Sequence, residues 1–354
     1  MRVLQLIDSL NAGGAERVAV NIANALSLEI DKSFICATRK EGILKESIDK
    51  DVGYVFLNKQ STLDFKAILK LKRFIKEQRI NIIHAHSSSF FIASIMRLFK
   101  RDLKIIWHDH YGNSEFLEKR PLQVLKVCSR SFSHIFCVNR KLEKWDKQHL
   151  HCKSVSYLQN FAVEIFTEPT TNLFGVNGKR ILCLANLRPQ KDHNTLIKAF
   201  KKVNKQYPNW TLHCVGQDFN DDYSRQIFSV VNDFGFQESI FFYGSRPEVS
   251  SIIKQCEIGV LSSKSEGLPM ALLEYGLNGL AVVVTDVGEC KEVVSEFGLL
   301  VPAEDYKALS NAIVNYIKNV DRRLEDSKNF QNRVNEKFSS LAVITKTVSL
   351  YKAL

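Results

Sequence analysis

Glu266 and Glu274 stand eight positions apart around Gly267-Leu268-Pro269-Met270, where an apolar strand from Val260 runs through a Ser/Gly turn into a helix. Pro269 suits the first helical turn, because its fixed φ fits there and its missing N–H would have had no intrahelical partner. The N–H groups around Gly267, Leu268 and Met270 would then point out of the helix start, where the macrodipole favours a phosphate. Carboxylates beside a phosphate repel it, so the two glutamates are better suited to accept hydrogen bonds from hydroxyls of an attached sugar or ribose. The bland alternative makes Glu266 a solvated turn residue and Glu274 an exposed helix residue.

Two cations add to this chemistry. The apolar strand Arg180 to Asn186 leads into Leu187-Arg188-Pro189-Gln190-Lys191-Asp192-His193, and Arg188 and Lys191 on a loop after a strand are suited to a diphosphate, each charge-assisted hydrogen bond contributing roughly 1.5–3 kcal/mol when shielded. Strands at Thr211 to Val215 and Ile240 to Tyr243 end in Gly216 and in Gly244-Ser245-Arg246-Pro247. Near the N-terminus, the strand Arg2 to Asp8 meets Gly13-Gly14 and a helix from Ala15, a turn that lets backbone approach a ligand at the carboxyl edge of a sheet. The G-x-G-x-x-G pattern is absent, which counts against a dinucleotide. His84-Ala85-His86 and His108-Asp109-His110 each place two imidazoles on one strand face, as a metal pair would be, but no nearby Cys or acidic cluster completes a zinc set, and no metal is assigned. The only D-x-D, Asp49-Lys50-Asp51, lies in a polar turn.

Alternation of strands and helices positions these groups. Strands are expected at Ser33 to Ala37, Tyr54 to Leu57, Ile82 to His86, Lys104 to Trp107, His134 to Asn139 and Val155 to Leu158, then again through the second half, which argues for doubly wound parallel sheets. Periodicity fades from Asn160 to Gly178, where the linker is expected. The domains are accordingly 1–165, 178–338, and a C-terminal helix at 339–354 that can return to the first. The 354 residues, 45% hydrophobic, suffice for two cores. An Asp at position 8 interrupts any signal peptide and no apolar run of membrane-spanning length is present, so a cytoplasmic protein is expected. Eight cysteines without C-x-x-C spacing read as reduced core thiols.

A net charge of +11 draws the chain to an acidic partner. No zinc-finger or RNA-recognition motif supports nucleic acid. The helix Asp64 to Gln78 carries Lys66, Lys70, Lys72, Arg73 and Lys76 among Phe65, Ile68, Leu69, Phe74 and Ile75. A helix packed on the sheet with a solvated basic face explains it, while an anionic membrane surface at the inner face of the membrane remains a candidate partner.

The stretch Ser263-Lys264-Ser265-Glu266-Gly267-Leu268-Pro269-Met270-Ala271-Leu272-Leu273-Glu274 resembles the E-x7-E segment of retaining, nucleotide-sugar-dependent glycosyltransferases of family 4. Gly13-Gly14-Ala15-Glu16-Arg17 resembles their loop facing acceptor and donor diphosphate, the Lys191 loop their diphosphate clamp, and Gly216, Gly244 and Arg246 their loops around the base. The resemblance implies the GT-B architecture, two Rossmann-like α/β domains facing a cleft, with the acceptor on the first and the nucleotide sugar on the second. It also implies roles: Glu274 on the ribose, Glu266 on the transferred sugar, and Lys191, Arg188 and the helix start at Gly267 to Met270 on the leaving diphosphate, without a metal cofactor. Trp107 to Gly112 resembles the segment bringing a histidine to the reaction centre, His110 being the closer match and His108 the second. Asn186 stands where the family carries Arg, and Phe161 where it carries Gly.

The function expected is transfer of a sugar, from a UDP-sugar by preference, to a glycan or polyprenyl-diphosphate-linked glycan in bacterial surface polysaccharide synthesis, with retained configuration. A sugar-nucleotide epimerase of the same architecture and a non-catalytic sugar-nucleotide-binding subunit are the competing readings.

Overall fold

The computed structural model describes residues 1–161, 163 and 170–354. Much of the expected linker, and the boundary at 165, lie outside the described residues. The chain divides into two units, Met1–Phe161 with Ser340–Leu354, and Ala162–Ser339.

In the first unit, short apolar runs bounded by polar turns become strands and the amphipathic stretches between them become helices. They are β1 (Arg2–Ser9), α1 (Gly14–Ser27), β2 (Lys32–Lys40), β3 (Gly53–Phe56), α2 (Phe65–Glu77), β4 (Ile82–His86), α3 (Phe90–Phe99), β5 (Lys104–Asp109), α4 (Gln123–Cys128), β6 (His134–Cys137), α5 (Arg140–His149) and β7 (Val155–Tyr157). All seven strands run parallel in the order β3-β2-β1-β4-β5-β6-β7. The order reverses between β1 and β4, and at such a switch point the outgoing loops diverge and leave room for a ligand. Leu4, Leu6, Ile83, Ile105 and Ile135 face one core, Ile7, Ile35 and Ala37 the other.

α2 is capped by the Asp64 carboxylate, which accepts from the Ala67 N–H at 3.1 Å. It buries Ala67, Ile68, Leu71 and Ile75 against the sheet. Phe65 and Leu69 are 74% and 61% exposed, because the buried stripe is set by positions 68, 71 and 75.

The second unit comprises β8 (Arg180–Leu184), α6 (His193–Gln206), β9 (Thr211–Val215), α7 (Asp222–Asp233), β10 (Ile240–Phe242), α8 (Val249–Ile253), β11 (Ile258–Leu261), α9 (Met270–Leu277), β12 (Ala281–Thr285), α10 (Cys290–Val294), β13 (Leu299–Val301), α11 (Tyr306–Lys318) and α12 (Val320–Lys337). Its six parallel strands follow the order β10-β9-β8-β11-β12-β13, with the reversal between β8 and β11. Sequence reading missed β13 and α12. The first is three residues long, and the second is so polar that only Phe330 and Val334 are buried. α12 lies on α9 because Gly276 has no side chain: a Cβ there would stand 2.4 Å from Val334 Cγ2.

The final helix, α13 (Ser340–Ala353), belongs to the first unit and packs on α1, burying Val343, Ile344, Val348 and Tyr351. All eight cysteines are free thiols. No helix among the described residues is long and apolar enough to cross a membrane.

Candidate active site

In the second unit, the loops leaving β8 and β11 bring Lys191 and Glu266 together at the switch point. Lys191 Nζ donates to Glu266 Oε1 at 2.6 Å, and Ser263 Oγ donates to the same oxygen at 2.6 Å. Glu266 is 7% exposed in its side chain and Lys191 24%, so the pair sits at the floor of the loops with its ammonium toward their mouth. The two loops are tied by backbone as well: the Lys264 N–H donates to Gln190 O at 2.8 Å and Ser262 Oγ to Lys191 O at 2.9 Å. Asp192 adopts left-handed φ of 48° and caps α6 by accepting from Thr195 N–H, which turns the chain immediately after Lys191.

The turn after Glu266 is held from the next strand. Gly288 has φ of 55°, and a Cβ on it would stand 2.3 Å from Glu266 O and 2.5 Å from Gly267 O. Only glycine therefore lets the β12 turn close on the Glu266 backbone, where the Glu289 N–H donates to Gly267 O at 2.9 Å. Leu268 and Met270 bury their side chains, so the helix start is anchored. Pro269 occupies the N-cap position of α9, one place before the first helical residue expected for it, and no side chain caps that end. Glu274 is half-buried on α9. Its neighbour Tyr275 locks the helix to the sheet by accepting from the Leu184 N–H at 2.6 Å, over Gly259, whose absent side chain leaves space for the ring.

The other residues singled out in the second half occupy the same carboxyl edge. Gly216 follows β9 and Gly244 follows β10, the Gly216 N–H donating to Gly244 O at 3.0 Å. A Cβ on Gly216 would meet Ala185 O at 2.2 Å, so the β9 turn can close on the β8 loop only as glycine. Asn186 Oδ1 accepts from the Gln217 N–H at 2.7 Å and pins that turn. Arg188 lays its guanidinium over the Phe219 ring at 3.7 Å, and Arg246 donates to Ser245 O at 3.1 Å.

In the first unit, Gly13 is the N-cap of α1 and Gly14 its first, exposed residue, one position earlier than expected. His110 follows β5. The Asp109 carboxylate is held bidentately by Arg120 at 2.7 Å and 2.7 Å and accepts from the Tyr111 N–H, so the loop bearing His110 is fixed on both sides. His110 lines a pocket of about 760 Å³ together with Ser87, Trp107, Tyr111, Leu122 and Val124. His108 is 1% exposed and is not among the residues lining that pocket. β5 ends at Asp109, so His108 lies within the strand with its ring inside the imidazole stack, while His110 lies beyond the strand end.

The two H-x-H pairs meet. β4 and β5 are neighbours with His86 opposite His108, and the rings of His84, His86, His108 and His110 stack along one face. His84, His86 and His108 offer nitrogens within 4.8 Å of one another, a third imidazole that neither pair shows in sequence. The planes incline by 20°, 15° and 34°, and the two ring nitrogens of His86 lie within hydrogen-bond distance of Gln5 and His110. Burial holds all three imidazoles well below the usual histidine range and pushes His110 down to about 3, leaving the stack neutral.

Sequence reading did not single out Ser263, Asp192 or Gly288 as supports of Glu266 and Lys191. A strand followed by Val287-Gly288 carried the signal for the last.

Residues 12–161 match the family described as Glycosyltransferase Family 4, and residues 166–335 match Glycosyl transferases group 1. The chain is 26% identical to the O-antigen biosynthesis glycosyltransferase WbnH of Escherichia coli, over 99% of this chain and 97% of that one. It is 22% identical to the E. coli UDP-Gal:alpha-D-GlcNAc-diphosphoundecaprenol alpha-1,3-galactosyltransferase, over 98% and 95%. In fold it is similar to Anabaena HepE, solved in complex with UDP and glucose, with a TM-score of 0.84 at 18% identity over 99% of both chains. With two Rossmann-like parallel sheets, and both halves matched by glycosyltransferase families, the chain belongs to glycosyltransferase family 4 and has the GT-B fold.

Proposed function

We propose that this glycosyltransferase moves a sugar from a UDP-sugar to a hydroxyl of a glycan carried on a polyprenyl diphosphate, with retained configuration, in the assembly of a bacterial surface polysaccharide. The observation that carries the reading is the Lys191–Glu266 pair beside the start of α9, a cation and a hydroxyl acceptor side by side at a switch point. Glu266 would accept from hydroxyls of the transferred sugar and Glu274 from the ribose. Lys191, Arg188 and the helix start would take the charge that develops on the diphosphate as the glycosidic bond breaks. The base would lie against the Gly216 and Gly244 turns beside Arg246, and the acceptor on the side of Gly13, Gly14 and His110. These cations serve where other transferases use a divalent ion, so transfer proceeds without a metal.

Two comparisons favour the substrates. One relative's name gives a UDP-sugar donor and a diphosphoundecaprenol-linked acceptor, and HepE was solved with UDP-glucose as well as with UDP. A lipid-borne acceptor suits a peripheral enzyme at the cytoplasmic face, where the basic residues of α2 meet anionic lipid. Salt-sensitive co-sedimentation with phosphatidylglycerol vesicles tests that part, and no binding at low salt rejects it.

The decisive experiment is mass spectrometry of products from a panel of UDP- and GDP-sugars, with and without a diphosphate-lipid-linked GlcNAc acceptor and with a chelator present. Acceptor-dependent transfer from a UDP-sugar in the chelator is expected. An epimer or free sugar formed without acceptor would identify an epimerase, and calorimetry showing UDP binding without turnover would identify a binding subunit.

A further inference from the structure

A buried relay fixes the tautomer of His110, a residue that lines the pocket. His86 stands between two partners: its Nε2 is 2.8 Å from Gln5 Oε1, and its Nδ1 is 3.0 Å from His110 Nε2. Gln5 and His86 are both fully buried, so no solvent competes for the contact between them. An amide oxygen only accepts, hence the His86 Nε2 carries the proton. A neutral imidazole has one N–H, so His86 Nδ1 is bare and accepts from His110 Nε2–H. By the same count, His110 Nδ1 is bare.

We propose that Gln5, through His86, locks His110 in the tautomer whose Nδ1 is a lone-pair acceptor, so that His110 receives a hydrogen bond from a substrate hydroxyl and cannot donate one. This rests on the reading that His110 faces a substrate, and it specifies the ligand group as a hydroxyl donor. A carbonyl or phosphate oxygen, which offers no proton, is not a partner for this nitrogen. Burial makes the same ring a poor proton acceptor. His110 is therefore a group that orients a substrate hydroxyl other than the attacking one, whose own single proton goes to the departing phosphate oxygen: the attacking O–H and the sugar–phosphate C–O bonds break, and the new glycosidic C–O and phosphate O–H bonds form.

The far end of the relay is Tyr351 on α13. Its hydroxyl lies 2.5 Å from His84 Nδ1 and interacts with the side chain of Gln5. The C-terminal helix thus shares in holding the glutamine whose orientation sets the polarity, although it lies 346 positions away in the chain.

The test is long-range 1H–15N correlation NMR on the full chain labelled with 15N-histidine, with the His110→Gln variant used to assign its signals. The expected spectrum has His110 protonated at Nε2 and bare at Nδ1, and His86 protonated at Nε2. His110 protonated at Nδ1 overturns the proposal, and the wild-type spectrum decides this without any change to the core. In Gln5→Met, shown folded by its melting curve, the bias is released: both His110 tautomers are expected, with kcat lowered in proportion to the fraction that loses the Nδ1 acceptor, about twofold at equal populations, and the donor KM unchanged. An unaltered His110 spectrum in this variant removes Gln5 from the account. If His110→Gln transfers sugar at the wild-type rate while the wild-type tautomer is as stated, the relay stands and the substrate role of His110 falls.

Discussion

Lys191 Nζ and Glu266 Oε1 lie 2.6 Å apart although 75 residues separate them, because each follows one of two neighbouring parallel strands, β8 and β11. The ammonium has a carboxylate to neutralise it before any diphosphate arrives. On the proposed function, a donor diphosphate would replace one charge partner of Lys191 with another.

Glu266→Ala and Lys191→Ala should each lower transfer by roughly 10²–10³-fold or more, as removal of a group that stabilises developing charge does. Lys191→Ala should also weaken UDP binding, whereas Glu266→Ala should leave it within about threefold, since its partner is the sugar. The double variant should lose less than the sum of the two because the groups touch. Calorimetry with UDP and initial-rate assays check the set. Normal turnover in Glu266→Ala refutes the role given to it.

Gly288→Ala should keep the fold but disable the site. The added methyl meets Glu266 O and Gly267 O at contact-forbidden distances, and φ of 55° is itself costly for alanine. A melting temperature lowered by the equivalent of about 1–3 kcal/mol is expected, with a disproportionate loss of kcat from displacement of the Glu266 turn. Wild-type kcat with reduced stability would show that the turn tolerates the shift.

Arg120→Met should be among the most destabilising single changes in the first unit. Arg120, Asp109 and Asp146 are all buried, and the guanidinium also faces the rings of Tyr111 and Trp145 at 4.6 Å and 4.7 Å. Burial and the neighbouring Asp109 already raise Asp146 above the usual carboxylate range. Removing the cation leaves the Asp109 carboxylate buried without a countercharge, for a loss of about 3–5 kcal/mol. Urea denaturation measures it, and a loss below about 1 kcal/mol contradicts the argument.

Acid should unfold the protein earlier than its carboxylates alone require. Burial pushes His110 down to about 3, His134 to about 4 and His213 to about 3, from 6.5. Below 6.5 the unfolded chain binds protons that the folded one refuses, so stability is full above that pH and falls as pH drops toward 4. The melting temperature should decline between about pH 6.5 and about pH 5, before most carboxylates titrate. A flat profile across that interval would contradict the neutral histidine stack.

What the sequence by itself determined is what depends on neighbours along the chain. The strands ending at Ser9, Val215 and Leu261, the glycine turns after them, and the chemistry available at Lys191 and Glu266 were legible because periodicity and turn residues act locally. The polar helix Val320–Lys337 was not, since its two buried residues matter only once Gly276 offers them a surface. Tertiary structure alone decided who meets whom. Strand order joined Lys191 to Glu266, closed Gly288 onto the Glu266 turn, and stacked four histidines from two separate pairs, turning His108 inward and leaving His110 at the pocket. Sheet pairing is non-local, so the same residues in the same local conformations could have been neighbours of other strands, and only the folded order of β1 with β4 and β8 with β11 settles it.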